Sequence, residues 1–359
     1  MGALTAQEGK LSWETELGSP LVLLAKATDE RFDVVNSSGS NFVLASNKPI
    51  AQRAEVSLGQ GKPGRRFSNP TWLNATTAVM LNQANAAELA LYQADGNPRL
   101  KSVRVAWGSA KASTDAVAVG NRIVVGLDNG LLVMIDPATG QMIGTPFQVT
   151  ALKPGIQIVW NRPVYLSGSQ TLVAASEGQL VRLAVGDSLR ELSKEPLESP
   201  LLGPLAQVGD YVVAVQSSAG SEQLVLFDPE SLKVVGNHTL TANVIAGPYS
   251  AEQGGLVQTD RHLVGLDASG KVSWTIDFPN SQLIGPPVSS AGNWVLANRL
   301  GQIWVINSQD GTISGSVDLR QPLATLPLVL PKRILIGSDE GTVLAIAFPT
   351  QHTVKGGQQ

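Results

Sequence analysis

The chain has 359 residues, 43% of them hydrophobic and only 15% charged, with 36 Gly, 21 Pro, no Cys and a formal net charge of −3. So much Gly and Pro with so little charge suits many short strands joined by turns, and the near-neutral balance leaves no electrostatic footprint for nucleic acid. The missing Cys excludes disulfides, thiolate metal sites and a Cys nucleophile, and no apolar run is long enough for a membrane-spanning helix.

A chain this long exceeds one simple core, so it needs two domains or a repeat architecture. In chain order, Ala3–Leu17 reads as the end of a strand, a turn and a further strand. Arg31–Val35 with Asn41–Ala45 forms a first hairpin, and Ala78–Leu81 with Glu88–Tyr92 a second. Between them, Gln60–Pro70 is a long irregular loop holding Lys62, Arg65, Arg66 and Phe67, the one concentrated basic-aromatic patch. Ile123–Gly140 is the clearest unit, with an apolar strand, an Asp128-Asn129-Gly130 turn, a second strand and an Asp136-Pro137-Ala138-Thr139-Gly140 turn. Asn129-Gly130 predicts a two-residue hairpin turn with positive φ at both positions. Thr171–Ala175 with Gln179–Leu183 is a further copy. Four regular units follow, at Tyr211–Asp228, Gly255–Trp274, Asn293–Asn307 and Arg333–Ala347.

The residues ending the third strand of successive units, from Thr5 to Ala347, lie 39 to 48 residues apart. That spacing suits propeller blades of four short strands. The late units open near Pro200, Gly247-Pro248, Gly285-Pro286-Pro287 and Pro322, which we read as the innermost strands. The carboxyl end stops after a third strand, so residues 10–17 supply the missing outer strand of the last blade, 322–348. We therefore expect an all-β, eight-bladed β-propeller of four-stranded antiparallel blades, one domain over 1–359 with a tail at 349–359. A start inside a blade pattern suggests a piece of a longer precursor.

Ala3–Trp13 and Leu266–Trp274 resemble the tryptophan-docking repeat of the PQQ-like propeller family, and Leu132–Gly140 resembles its central part. Among relatives, the length and eight units look most like BamB-type outer-membrane assembly lipoproteins. That resemblance implies a non-enzymatic scaffold in the bacterial cell envelope or periplasm. It also implies that Trp13 and Trp274 dock between neighbouring blades, although Ile143 and Ile313 stand where other blades would carry the docking Trp. The dehydrogenases that resemble this propeller use a vicinal disulfide against the cofactor, which a chain without Cys cannot form.

His238, His262 and His352 lack metal-ligand spacing, and no nucleophile elbow or Walker-type loop is present. We expect no cofactor, no metal and no catalytic residue. Asp128, Glu177, Asp260 and Asp339 recur in the turns between second and third strands, where Asp favours local backbone bonds; functionally they would ring one face. Arg299 occupies the same kind of turn. Trp72, Trp107 and Trp160 lie outside the docking pattern and are assigned to the channel or a loop face. The expected partner of this monomeric domain is another protein, bound through loops on one face, among them Lys62, Arg65, Arg66, Phe67, Asp128, Glu177, Asp260, Arg299 and Asp339. The alternatives are an oxidoreductase binding a quinone or small ligand at the channel mouth, and an extracytoplasmic sensor domain of a larger membrane or signalling protein.

Overall fold

The computed structural model describes residues 11–28, 31–45, 48–55, 67–149, 158–176, 178–218 and 220–348, and among these no helix occurs. The strands form eight antiparallel sheets in chain order. Blade 1 is Leu21–Lys26, Arg31–Asn36, Asn41–Ala45 and Lys48–Glu55; blade 2 is Thr71–Asn74, Thr77–Leu81, Glu88–Gln93 and Leu100–Arg104. Blade 3 is Val117–Val119, Arg122–Gly126 and Leu132–Ile135; blade 4 is Val164–Leu166, Thr171–Ser176, Gln179–Val185 and Leu189–Pro196. Blade 5 is Leu201–Val208, Tyr211–Ser218, Ser221–Phe227 and Val234–Thr239; blade 6 is Val244–Ala251, Gly254–Thr259, His262–Leu266 and Val272–Asp277. Blade 7 is Val288–Ser290, Asn293–Ala297, Gln302–Asn307 and Ile313–Asp318. Blade 8 is Leu328–Leu330, Arg333–Gly337 and Thr342–Ala347, completed by Leu11–Glu16.

That last pairing closes the ring as expected. Thr15 lies opposite Val343 and Glu16 opposite Thr342, and Leu17 N–H donates to Gly341 O at 2.7 Å. The opening strand thereby covers a sheet edge that would otherwise stand free.

Blade 3 departs from the four-stranded expectation. Its outer position holds only the isolated bridges Ile135–Met142 and Leu132–Phe147. Pro146 sits in that segment and has no N–H to give to a ladder, which stops a continuous fourth strand.

The second strands are apolar on both faces because each blade is packed between two others. Eight apolar clusters result among the described residues, one in each interface between neighbours. The cluster that joins the ends unites Leu21, Phe32 and Leu44 of blade 1 with Leu335, Val343 and Ala345 of blade 8. Each fully buried Leu or Val contributes about 1.5–3 kcal/mol, so the interfaces rather than the thin single blades hold the fold.

One interface is tryptophan-docked. Trp274, on the outer strand of blade 6, donates its indole N–H to Ser308 O of blade 7 at 3.0 Å and lies 5.8 Å from the Trp294 ring. Gly311 of blade 7, at φ +75°, makes room: a Cβ there would stand 2.7 Å from the Trp274 ring. Trp13 is paired with Ala345 through the backbone.

Candidate functional site

Two structural layers meet around the ring axis, a face of turns and a central cavity. The face begins with the turns between second and third strands. In blade 3, Gly130 N–H donates to Leu127 O at 3.0 Å and Leu127 N–H to Leu131 O at 2.8 Å. Gly130 is at φ +82°, whereas Asn129 is not in the left-handed region. This corrects the two-residue turn expected from Asn129-Gly130: the loop has three residues, and only its last needs positive φ. Blades 7 and 8 repeat it, ending at Gly301 and Gly341. Each of these turns also wedges against the loop leading into the next blade. A Cβ on Gly130 would stand 2.8 Å from Ile158.

The same turns are tied to the loop entering their own blade. Ser37 N–H donates to Pro20 O at 2.7 Å, Asp128 to Lys111 at 2.8 Å, Asp260 to Asn243 at 2.8 Å, Arg299 to Gln282 at 3.4 Å and Asp339 to Pro322 at 3.0 Å, each partner 17 residues earlier. Turns and entry loops thus lock into one face. Leu300, 65% exposed, and Val159, 56% exposed, are the large apolar side chains standing out from it.

Inside that face lies a cavity of about 900 Å³ lined by the innermost segments of blades 2 to 8. The Gly247-Pro248 and Gly285-Pro286 segments line it, as the reading of Gly-Pro openings as innermost strands anticipates. Asp115, Arg162 and Tyr249 project into it from blades 3, 4 and 6. They interact electrostatically, and among the described residues none of the three side chains is hydrogen-bonded or ion-paired. Asp115 and Arg162 are exposed side chains that sit inside the cavity, where neighbouring protein displaces part of their water, and Tyr249 is half-buried. Burial accordingly pushes the Asp115 carboxyl above its usual range, with Arg162 opposing. Burial likewise lowers the Arg162 guanidinium, and it raises the Tyr249 phenol to about 12.

Of the residues expected to bind a partner, Asp128, Asp260, Arg299 and Asp339 do share the turn face. Asp128 Oδ1 accepts the Lys111 N–H at 2.9 Å, the local backbone bond for which Asp is favoured in turns. Arg299 and Asp339 are exposed, and Arg299 lies on the cavity rim. Phe67 is withdrawn from the surface: it is 7% exposed and packs with Leu23, Met80 and Tyr92 between blades 1 and 2. Its apolar ring gains more there than beside the basic loop. Lys62, Arg65, Arg66 and Glu177 lie outside the described residues. Trp160 lines the central cavity and donates to Gly130 O at 3.0 Å, whereas Trp107 lines an adjoining cavity of about 430 Å³ between blades 2 and 3, which shares Ser113, Thr114 and Asp115 with the central one.

The family profile described as outer membrane protein assembly factor BamB matches residues 1–235. The chain belongs to the BamB family. No curated protein matches it by sequence. BamB from Moraxella catarrhalis superposes with a TM-score of 0.59 at 15% identity, covering 95% of this chain and all of that one. The computationally designed Ika8 protein gives a TM-score of 0.67 at 14% identity, over 93% of this chain and 99% of its own. Sqt1 of Saccharomyces cerevisiae gives 0.66 at 10% identity, over 96% of this chain and 100% of its own. At such identities these likenesses show the propeller fold alone, and membership of the BamB family rests on the profile.

Asp115, Arg162 and Tyr249 escaped the sequence reading. A signal for Asp115 exists once the repeats are aligned through their backbone bonds. Ser113, Ile284 and Ala324 each donate to the carbonyl of the last residue of their blade's second strand, Gly126, Ala297 and Gly337. Two residues further on stand Asp115, Pro286 and Leu326, so a repeat position filled by apolar groups in two blades carries a carboxylate in the third.

Proposed function

We propose that this BamB-family chain is a non-enzymatic scaffold of the bacterial envelope, which docks a protein partner on the face formed by the turns and the entry loops. The observation that carries the reading is the exposed side chain of Leu300, next to Arg299 on the blade 7 turn, together with that of Val159 on the loop entering blade 4 of the same face. Rigid loops presenting apolar groups ringed by charge have the composition of an interface core and its rim. Membership of a family described as outer membrane protein assembly factor supports a partner from that assembly process, and with it an envelope location.

The test is photo-crosslinking in cells from a reactive residue placed at Leu300, at Val159, or at Val234 on the outer strand of blade 5. The proposal expects a discrete product with one outer-membrane assembly component from the first two positions, and its loss in Leu300→Glu. Products from Val234 alone, or an association indifferent to Leu300→Glu, would remove the docking face.

A further inference from the structure

The fold treats two of its charge clusters differently. Between blades 1 and 2, Asp33 is fully enclosed and answered: Tyr92 OH donates to it at 2.7 Å and Arg99 at 2.6 Å. Around the axis, Arg162, Asp115 and Tyr249 face one another across open space, and no described residue satisfies them. Arg162 and Asp115 are exposed to the solvent of the cavity and Tyr249 is half-buried, so their polar groups stand open to a ligand. Pro286 and Leu326 fill the position of Asp115 in other blades.

We propose that the central cavity is a binding site for a small zwitterion of the short-peptide class, with its free carboxylate on Arg162 and its ammonium group on Asp115. The guanidinium fork takes a carboxylate through two parallel hydrogen bonds, and the Asp115 oxygens accept from an ammonium group. The Tyr249 hydroxyl supplies a third polar contact. Leu202, Ile245 and Leu326 line the same space and receive an aliphatic side chain. A volume of about 900 Å³ exceeds one amino acid and accommodates two or three residues. With one cation and one anion in the cluster, a ligand of single charge would leave one of them unanswered, which favours a zwitterion over a simple anion. This site is independent of the docking face and stands or falls without it.

The experiment is calorimetric titration of the full chain with alanyl-leucine, its N-acetyl form and its C-amide form. Saturable binding of the dipeptide at about 1 mM or tighter is expected, with each capped form at least about tenfold weaker. Arg162→Gln should weaken the dipeptide about tenfold while leaving the C-amide form unchanged, and Asp115→Asn should do the same against the N-acetyl form. If either variant fails to fold, the capped ligands on the unaltered chain decide alone. Absence of saturable heat, equal affinity for capped and free dipeptide, or a folded Arg162→Gln that binds the dipeptide as before would overturn the assignment.

Discussion

Replacing Trp274 by Ala removes an 8%-exposed indole from the interface between blades 6 and 7 and deletes its bond to Ser308 O. Truncation of a buried aromatic costs about 3–5 kcal/mol, of which the lost hydrogen bond accounts for about 1. Gly311→Ala attacks the same contact from the other side. It forces a Cβ to 2.7 Å from the ring and places a non-Gly residue at φ +75°. The backbone part costs about 1–2 kcal/mol, and the clash adds to it. In the double variant the ring is gone and only the backbone part of Gly311→Ala remains. The two losses should therefore fall short of additivity by about 1 kcal/mol or more. Urea unfolding of the four proteins, followed by circular dichroism and by fluorescence, measures this. A loss below about 1 kcal/mol for Trp274→Ala, or additivity within about 0.5 kcal/mol, would refute the docked interface.

Arg99→Ala strips the cation from fully buried Asp33 and should cost about 3 kcal/mol at neutral pH, because the carboxylate is left uncompensated. Burial already holds Asp33 above its usual range, so it takes up a proton earlier than an ordinary carboxyl as pH falls and the loss shrinks in acid; equal losses in urea at neutral and at acid pH would contradict this. Asp267 behaves oppositely. The Ser269 hydroxyl, foremost, and neighbouring backbone N–H groups hold its carboxyl below 3.8, so its contribution is present above that value and lost as pH falls through the folded-state value. Melting temperatures of the unaltered chain and Asp267→Asn should accordingly converge in acid, and a gap that ignores pH would contradict the turn bonds.

The ring was readable because its signals are local and repeated. Apolar runs of strand length, Asp-rich turns and a chain ending one strand short give the blade period and the closure without tertiary knowledge. Blade 3 misled because its outer segment lies at the right spacing, while Gly144 at positive φ and Pro146 without an N–H interrupt the ladder within it. The Asn129-Gly130 turn misled because the dipeptide fits two turn types, and the interlock of Gly130 with Ile158 selects the longer one. Phe67 shares a stretch with three basic residues, yet its burial depends on Leu23 and Tyr92, far away in the sequence. The cavity cluster was least legible. Asp115, Arg162 and Tyr249 come from three blades, and only ring closure brings them together.

That closure is tested most directly by a disulfide across its seam. Glu16 and Thr342 are opposite neighbours in the pairing of the opening and closing strands, and the chain has no other Cys to interfere. Glu16→Cys with Thr342→Cys should oxidise to an intramolecular bond, seen by peptide mapping, and raise the melting midpoint over the reduced form. Failure to form the bond, or only intermolecular bonds, would show that the first strand does not complete the last blade.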